Sequence, residues 1–425
     1  MRSITLALTL AAGALLAACG GGGDSGSSST QIRLLNASAG YSSLDLSIDS
    51  ATASANIAYA STGSYAGIAT TGATAAIQTS GVGTTIVSTS PSLTAGSSYT
   101  MIAYGWAGGL RTSLLQEAEE APAANKSKLL VLNLAPDAGA LDVYVTAAAD
   151  SLDNATPLAT NIGGGSSSGY NLINSGTYRV RLTGTGNKND LRLDIPAVTV
   201  ASAGVSTLVV TATEGGVLVN AMQLQQKGSV TNLAGTVARA RVVAAVSGNA
   251  TVGATLGGTS LLPVSVAPTI GEYKTVAAGA AGIGVSVNGA PLTIANPTLK
   301  AGSDYTLLVW GDAAAPQLTV LADDNRLPAT SGNAKIRLVN GVASLNTGLT
   351  MTLDYSAIAT NVIPGTTSAI SNVASSTSSL LSISSPTSGL PVYSVSALPV
   401  VANGVYTVFM MGGSNAMVGT LRRER

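Results

Sequence analysis

The sequence predicts an all-β chain of tandem immunoglobulin-like β-sandwich modules, set behind an N-terminal leader and a flexible tether. Three observations predict it. Apolar residues come in short bursts bounded by Gly, Asn, Ser and Pro, the punctuation of strands and turns. Period-two alternation recurs, as in Leu44-Asp45-Leu46-Ser47-Ile48, Tyr178-Arg179-Val180-Arg181-Leu182 and Ile283-Gly284-Val285-Ser286-Val287, which suits half-buried strands. An opening strand appears four times, ending at Asn36, Asn133, Ala244 and Asn340, at spacings of 97, 111 and 96 residues.

The chain begins Met1-Arg2-Ser3, continues as an apolar stretch from Ile4 to Leu16, and reaches Leu16-Ala17-Ala18-Cys19-Gly20. A basic end, a short apolar segment and small residues at the cut make a signal peptide over 1–18. The stretch is too short to span a bilayer. The lone Cys resembles the Leu-Ala-Ala-Cys site of bacterial lipoproteins. That resemblance implies a diacylglycerol on the Cys19 sulfur, cleavage before it and acylation of the new amine, with palmitate-type chains as the membrane anchor. Several chains hold where one would not. Gly20, and not Asp, follows Cys19, which favours the outer membrane, facing the periplasm or the cell surface. Residues 19–29 are a Gly/Ser-rich tether.

Four modules follow at 30–120, 126–228, 236–328 and 333–421. The opening strands are Ile32-Arg33-Leu34-Leu35-Asn36, Leu129-Leu130-Val131-Leu132-Asn133, Ala240-Arg241-Val242-Val243-Ala244 and Ile336-Arg337-Leu338-Val339-Asn340. A later strand recurs after a Gly-containing turn, at Tyr99-Thr100, Tyr305-Thr306 and Tyr406-Thr407, with a weaker copy at Ser206-Thr207. A Gly-x-Tyr element occurs at Gly63/Tyr65, Gly176/Tyr178 and Gly271/Tyr273, with no match in the fourth module. The joints are polar: Glu117 to Pro122, Lys227 to Ser229, and Asp323 to Pro328. They read as solvated linkers.

Composition excludes several function classes. The 425 residues carry 20 basic and 20 acidic side chains, so the basic footprint of a nucleic-acid binder is missing. One Cys permits no internal disulfide. Histidine is absent, which removes the Ser-His-Asp triad and His-ligated metal sites. No Gly-x-Ser-x-Gly elbow occurs, and the Gly-rich run at Gly163-Gly164-Gly165-Ser166 lacks the lysine of a phosphate loop. The acidic joints lack a calcium-loop pattern. The expectation is therefore a non-catalytic protein with no cofactor and no metal, acting as a structural, adhesive or scaffold component of the envelope.

Four residues remain as candidate ligand contacts. Trp106 and Trp310 follow the same repeat strand and would stack on sugar rings if exposed. Asp137 caps a turn after Pro136, and Asp142 shares a strand face with Tyr144. They support an alternative reading as a carbohydrate- or peptidoglycan-binding lipoprotein, with a glycan or envelope protein as partner. Arg422-Arg423-Glu424-Arg425 reads as a frayed polar end.

Three stretches resemble DUF4397, a bacterial secreted module of unknown function. They are Leu130 to Val145, with Ala135-Pro136-Asp137-Ala138 and Leu141-Asp142-Val143-Tyr144; Ser175-Gly176-Thr177-Tyr178-Arg179-Val180; and Leu318 to Pro328. The resemblance is good in modules two and three and loose in one and four. It implies a fold and a secreted location, and no activity. The histidine often found in the family's opening segment has no counterpart here, where Asn36, Leu134 and Gly341 fall in those regions.

Overall fold

The computed structural model describes residues 29–425. The expected leader at 1–18, Cys19 and the tether up to Ser28 lie outside the described residues. The strands build four successive two-sheet units over 31–116, 126–233, 237–323 and 333–423.

Each unit has the same first sheet. An opening strand pairs in parallel with a returning strand, which pairs antiparallel with a closing strand. These are Gln31–Asn36, Ser98–Tyr104 and Arg111–Gln116 in module one, and Lys126–Leu134, Gly204–Ala212 and Val219–Gln225 in module two. They are Val237–Ala244, Asp304–Trp310 and Gln317–Asp323 in module three, and Asn333–Asn340, Val405–Gly413 and Ala416–Arg423 in module four. A second, antiparallel sheet faces the first. In module one it runs Ala51–Ala58, Ser43–Ile48, Ala75–Thr79, Thr85–Thr89. The alternating Leu44, Leu46 and Ile77 side chains of that sheet meet Ile32, Leu34 and Met101 of the first to form the core.

The opening strands read as almost continuous apolar runs because both of their faces are buried. In module one Ile32 and Leu34 point into the module's own core. Leu35, on the opposite face, packs with Leu132, Val209 and Met222 of module two. Modules three and four join in the same way, through Val243, Leu308, Val339 and Phe409. In a chain with 4% aromatics these shared faces add to the burial of the modules' own cores, where Ala and Gly contribute little area each.

The recurring Asn at the end of the opening strand has a structural cause. Asn36, Asn133 and Asn340 are all fully buried. Each accepts a hydrogen bond from the backbone N–H two residues on, at Ser38 (3.1 Å), Ala135 (3.0 Å) and Val342 (3.0 Å). Each amide nitrogen donates to a carbonyl of the second sheet, at Ile57 (3.1 Å), Ile162 (2.8 Å) and Val362 (2.8 Å). The side chain thus holds the chain as it leaves one sheet for the other.

Two details of the repeat differ from expectation. Lys227-Gly228-Ser229 is a hairpin turn inside module two and not a joint, because Val230–Leu233 adds to the sheet beside Val219–Gln225. The Gly-x-Tyr copy at Gly176/Tyr178 is not equivalent to the others. Gly63 and Gly271 donate their N–H groups to Leu34 and Val242 of the opening strands. In module two Ser168 faces that position, at Val131, and in module four Ser368, at Leu338. The residues two further on are Tyr65, Tyr170, Tyr273 and Ile370. Spacing alone hid this, because the serine replaces the glycine.

Asn133→Ala should lower stability by about 2 kcal/mol, since it strands buried backbone groups at Ala135, Gly139 and Ile162. Urea unfolding followed by circular dichroism should show the lower midpoint.

Candidate functional site

Three residues before the end of the opening strand stand Arg33, Arg241 and Arg337 in modules one, three and four. They lie on the face turned toward the neighbouring module and are 4%, 1% and 6% exposed, respectively. Each guanidinium Nε donates to a threonine hydroxyl on the parallel returning strand: Thr100 (2.8 Å), Thr306 (3.0 Å) and Thr407 (3.3 Å). A carboxylate closes each cluster, and it comes from the end of a closing strand. Glu117, Asp323 and Glu424 occupy this place. The acidic joints expected to be solvated are therefore partly interior: Glu117 is 1% and Asp323 4% exposed. A buried guanidinium demands such a partner, and the strand end is within its reach.

The pairings differ between the two module pairs. Arg33 of module one bonds its own Glu117 (2.7 Å) and also the Gly228 carbonyl of module two (2.6 Å). In modules three and four the pairs cross. Arg241 of module three forms a double hydrogen bond with Glu424 of module four, at 2.8 and 2.7 Å. Arg337 of module four bonds Asp323 of module three at 2.5 Å. This is the reciprocal contact of a two-fold interface. Module two has lost its half of the set, with Leu130 for the arginine. Gln226 stands in the acid's place, bonding Val205 as Glu424 bonds Val405.

The tyrosines complete the clusters. Tyr65 lies 4.7 Å from the Arg33 guanidinium and Tyr273 4.3 Å from that of Arg241. Burial, and then the Glu117 carboxylate, push the Tyr65 hydroxyl well above its usual range, so it keeps its proton and donates it to Glu117. Burial and the Asp323 charge do the same to Tyr273, which donates to Asp323 at 2.6 Å. Burial opposes ionisation of Asp323. The charges of Arg337 and Arg241, with hydrogen bonds from Thr306 and Tyr273, outweigh it and hold the carboxyl below its ordinary value. Asp304 runs the other way, raised by burial despite its Arg239 partner.

The candidate contacts named from sequence separate into two groups. Trp106 and Asp137 come together where the connector between modules three and four crosses modules one and two. Arg326 of that connector sits 4.5 Å from the Trp106 ring. Asp137, 8% exposed, accepts the Leu327 N–H at 2.8 Å, and its carbonyl accepts from Arg425. Gly216 (φ +83°) lets the connector pass, since a Cβ there would lie 2.4 Å from the Arg326 nitrogen. The tail expected to fray thus docks on module two. Trp310 is elsewhere, at the interface of modules three and four. Its Nε1 donates to Thr319 (3.0 Å) and its ring lies on Gly365, where a Cβ would be 2.2 Å away. Asp142 is a buried structural carboxylate that accepts the Asn161 N–H (2.8 Å) and the Gly186 N–H (2.9 Å).

Beside Trp106 lies a cleft of about 460 Å³, lined by modules one, two and four and by the 326–331 connector. Among the described residues no group of three or more His, Cys, Asp or Glu side chains is placed to hold a metal. No described helix is long and apolar enough to cross a membrane.

The fold and the clusters define a tandem β-sandwich protein whose modules meet at buried arginine–carboxylate clusters, crossed between modules three and four and held within module one at its face toward module two. The chain belongs to the family described as a domain of unknown function, DUF4397, which matches residues 30–144 and 238–348, more than half of its length. Each match begins at an opening strand and runs past the opening strand of the next module. The matches thus start in modules one and three, where the motif resemblance is strongest in two and three. No curated protein matches the chain.

Glu424→Ala should cost about 3–5 kcal/mol, because Arg241 stays buried without its carboxylate. Arg241→Met combined with Glu424→Leu should recover most of that loss; a urea series on the three variants measures both. Acid should loosen the pairing of modules three and four. Asp323 and Asp324 both have lowered folded values, so their stabilisation is complete above the unfolded carboxylate value near pH ~4. It is lost as pH falls through the lower folded values. Asp304, being raised, offsets part of the loss. Trp310 fluorescence, recorded from pH 7 downward, should change in that acid window.

Proposed function

We propose that this protein is a non-catalytic, lipid-anchored component of the cell envelope that acts as a scaffold. Cys19 is its attachment point, and the membrane is its partner through the acyl chains. The outer membrane, facing the periplasm or the surface, is the proposed location. The observation that carries the scaffold reading is the use of buried charge between modules. Arg33, Arg241 and Arg337 are all spent on holding strands and neighbouring modules together, and the connector adds Leu327 and Arg326 contacts between the pairs. Such contacts suit a body that keeps fixed spacing beyond a flexible tether.

A second reading, saccharide binding, is favoured by the cleft beside Trp106.

Cys19→Ser should abolish incorporation of labelled fatty acid and move the protein from the membrane to the soluble fraction; a labelled, membrane-bound variant would remove the anchor. X-ray scattering from the mature protein should fit one rigid arrangement of modules. A profile that requires independently moving modules would remove the scaffold reading.

A further inference from the structure

We infer that the cleft between modules one, two and four is a binding site for a short carboxylate-bearing saccharide, of the uronic-acid type. The inference rests on the saccharide reading and stands apart from the scaffold reading. The cleft volume of about 460 Å³ falls within the range of small-molecule sites, roughly 300–1,000 Å³. Its walls include Leu134, Pro136, Leu327 and Pro328 beside the Trp106 indole, the kind of surface on which the C–H faces of a sugar ring pack.

The polar lining decides the ligand class. Arg326 and Lys335 also face the cleft, but both are committed to Asp324, at 2.7 and 3.0 Å. Asp137 has Oδ1 occupied by the Leu327 N–H and lies within the field of the Arg326 and Arg425 charges. Of the lining side chains without a hydrogen-bond partner among the described residues, Tyr104 and Ser331 bring hydroxyls, and three bring a guanidinium or a carboxamide. Arg111 is exposed and its guanidinium has no side-chain partner among the described residues, while Asn372 and Asn403 are exposed carboxamides in the same condition. A purely apolar occupant would desolvate all three without replacing their hydrogen bonds. Carboxamides match sugar hydroxyls, which both donate and accept. A free guanidinium matches a planar carboxylate in a two-bond geometry. A neutral sugar would leave Arg111 unpaired, so the acid form is selected.

Trp106 packs against the module-two core and under Arg326, with an edge on the cleft. Gly105 (φ +99°) makes the turn that presents the indole, and a Cβ at that glycine would lie 2.7 Å from the Gly109 carbonyl.

The test uses the mature full chain, titrated by calorimetry and tryptophan fluorescence with trigalacturonate and trimannuronate, and with galactotriose as the uncharged counterpart. Saturable binding of a uronate is expected, at least about tenfold tighter than galactotriose. Arg111→Gln should weaken it by a similar factor, and Asn403→Ala should weaken it further. Because the Arg111 guanidinium has no hydrogen bond or ion pair among the described residues, its variant should keep the wild-type urea midpoint. Trp310→Phe should bind as wild type and retain the fluorescence response, which then belongs to Trp106. Absence of saturable binding to both uronates, equal binding of galactotriose, or undiminished binding by Arg111→Gln would each overturn the proposal. None of these outcomes bears on Cys19 or on the scattering profile.

Discussion

A guanidinium buried in a strand with no solvent on either side is the constraint around which this molecule is organised. Arg33, Arg241 and Arg337 stand in opening strands whose one face is the core of their own module and whose other face is the neighbour. Removing such a charge from water costs several kcal/mol unless every donor finds a partner. The returning strand therefore carries a threonine in parallel register, the closing strand ends in an acid, and the edge segment brings a tyrosine over the plane in modules one and three. These are separate features of the sequence with a common physical origin.

The two module pairs meet that constraint differently. Modules three and four exchange partners, Arg241 to Glu424 and Arg337 to Asp323, so neither module supplies the carboxylate for its own arginine. Buried pairs of this kind add little net stability over an apolar contact, but they penalise any arrangement that leaves one charge alone. The crossed pairs thus set which module docks on which, and in what register. Modules one and two keep a single arginine. There Leu130 and Gln226 stand where the other charge set would be, and Leu132, Val209 and Met222 supply an apolar contact. The pair is asymmetric, and its one arginine reaches the module-two turn at Gly228.

The connector between modules three and four joins the two pairs. It carries Asp323 and Asn325 in the interior and Asp324, Arg326 and Leu327 on the path across modules one and two. Covalent continuity, an Asp137 acceptor and the Trp106 ring hold it there. A cleft forms at this crossing because a connector bridges two sandwiches without filling the corner between them. That corner is where side chains without partners gather, Arg111, Asn372 and Asn403 among them.

The strand content, the fourfold repeat and the opening strands were legible in the sequence, because period-two alternation and turn residues are local signals. Leu44, Leu46 and Ile77 face inward as their alternation requires. Tyr170 and Ile370 were not legible as counterparts of Tyr65 and Tyr273, since their equivalence is one of hydrogen-bond register and not of spacing. Nor was the burial of Glu117 and Asp323: an acidic run between modules looks the same whether it is solvated or clamped by an arginine 84 or 14 positions away. Of the candidate contacts, Trp106 and Asp137 converge, whereas Trp310 and Asp142 serve an interface and a loop. By itself the sequence determined the class of fold and the number and order of its modules, because those depend on neighbours along the chain. Tertiary structure alone decided which charges are buried, which modules exchange them and where the cleft lies, because those depend on faces brought together across long separations.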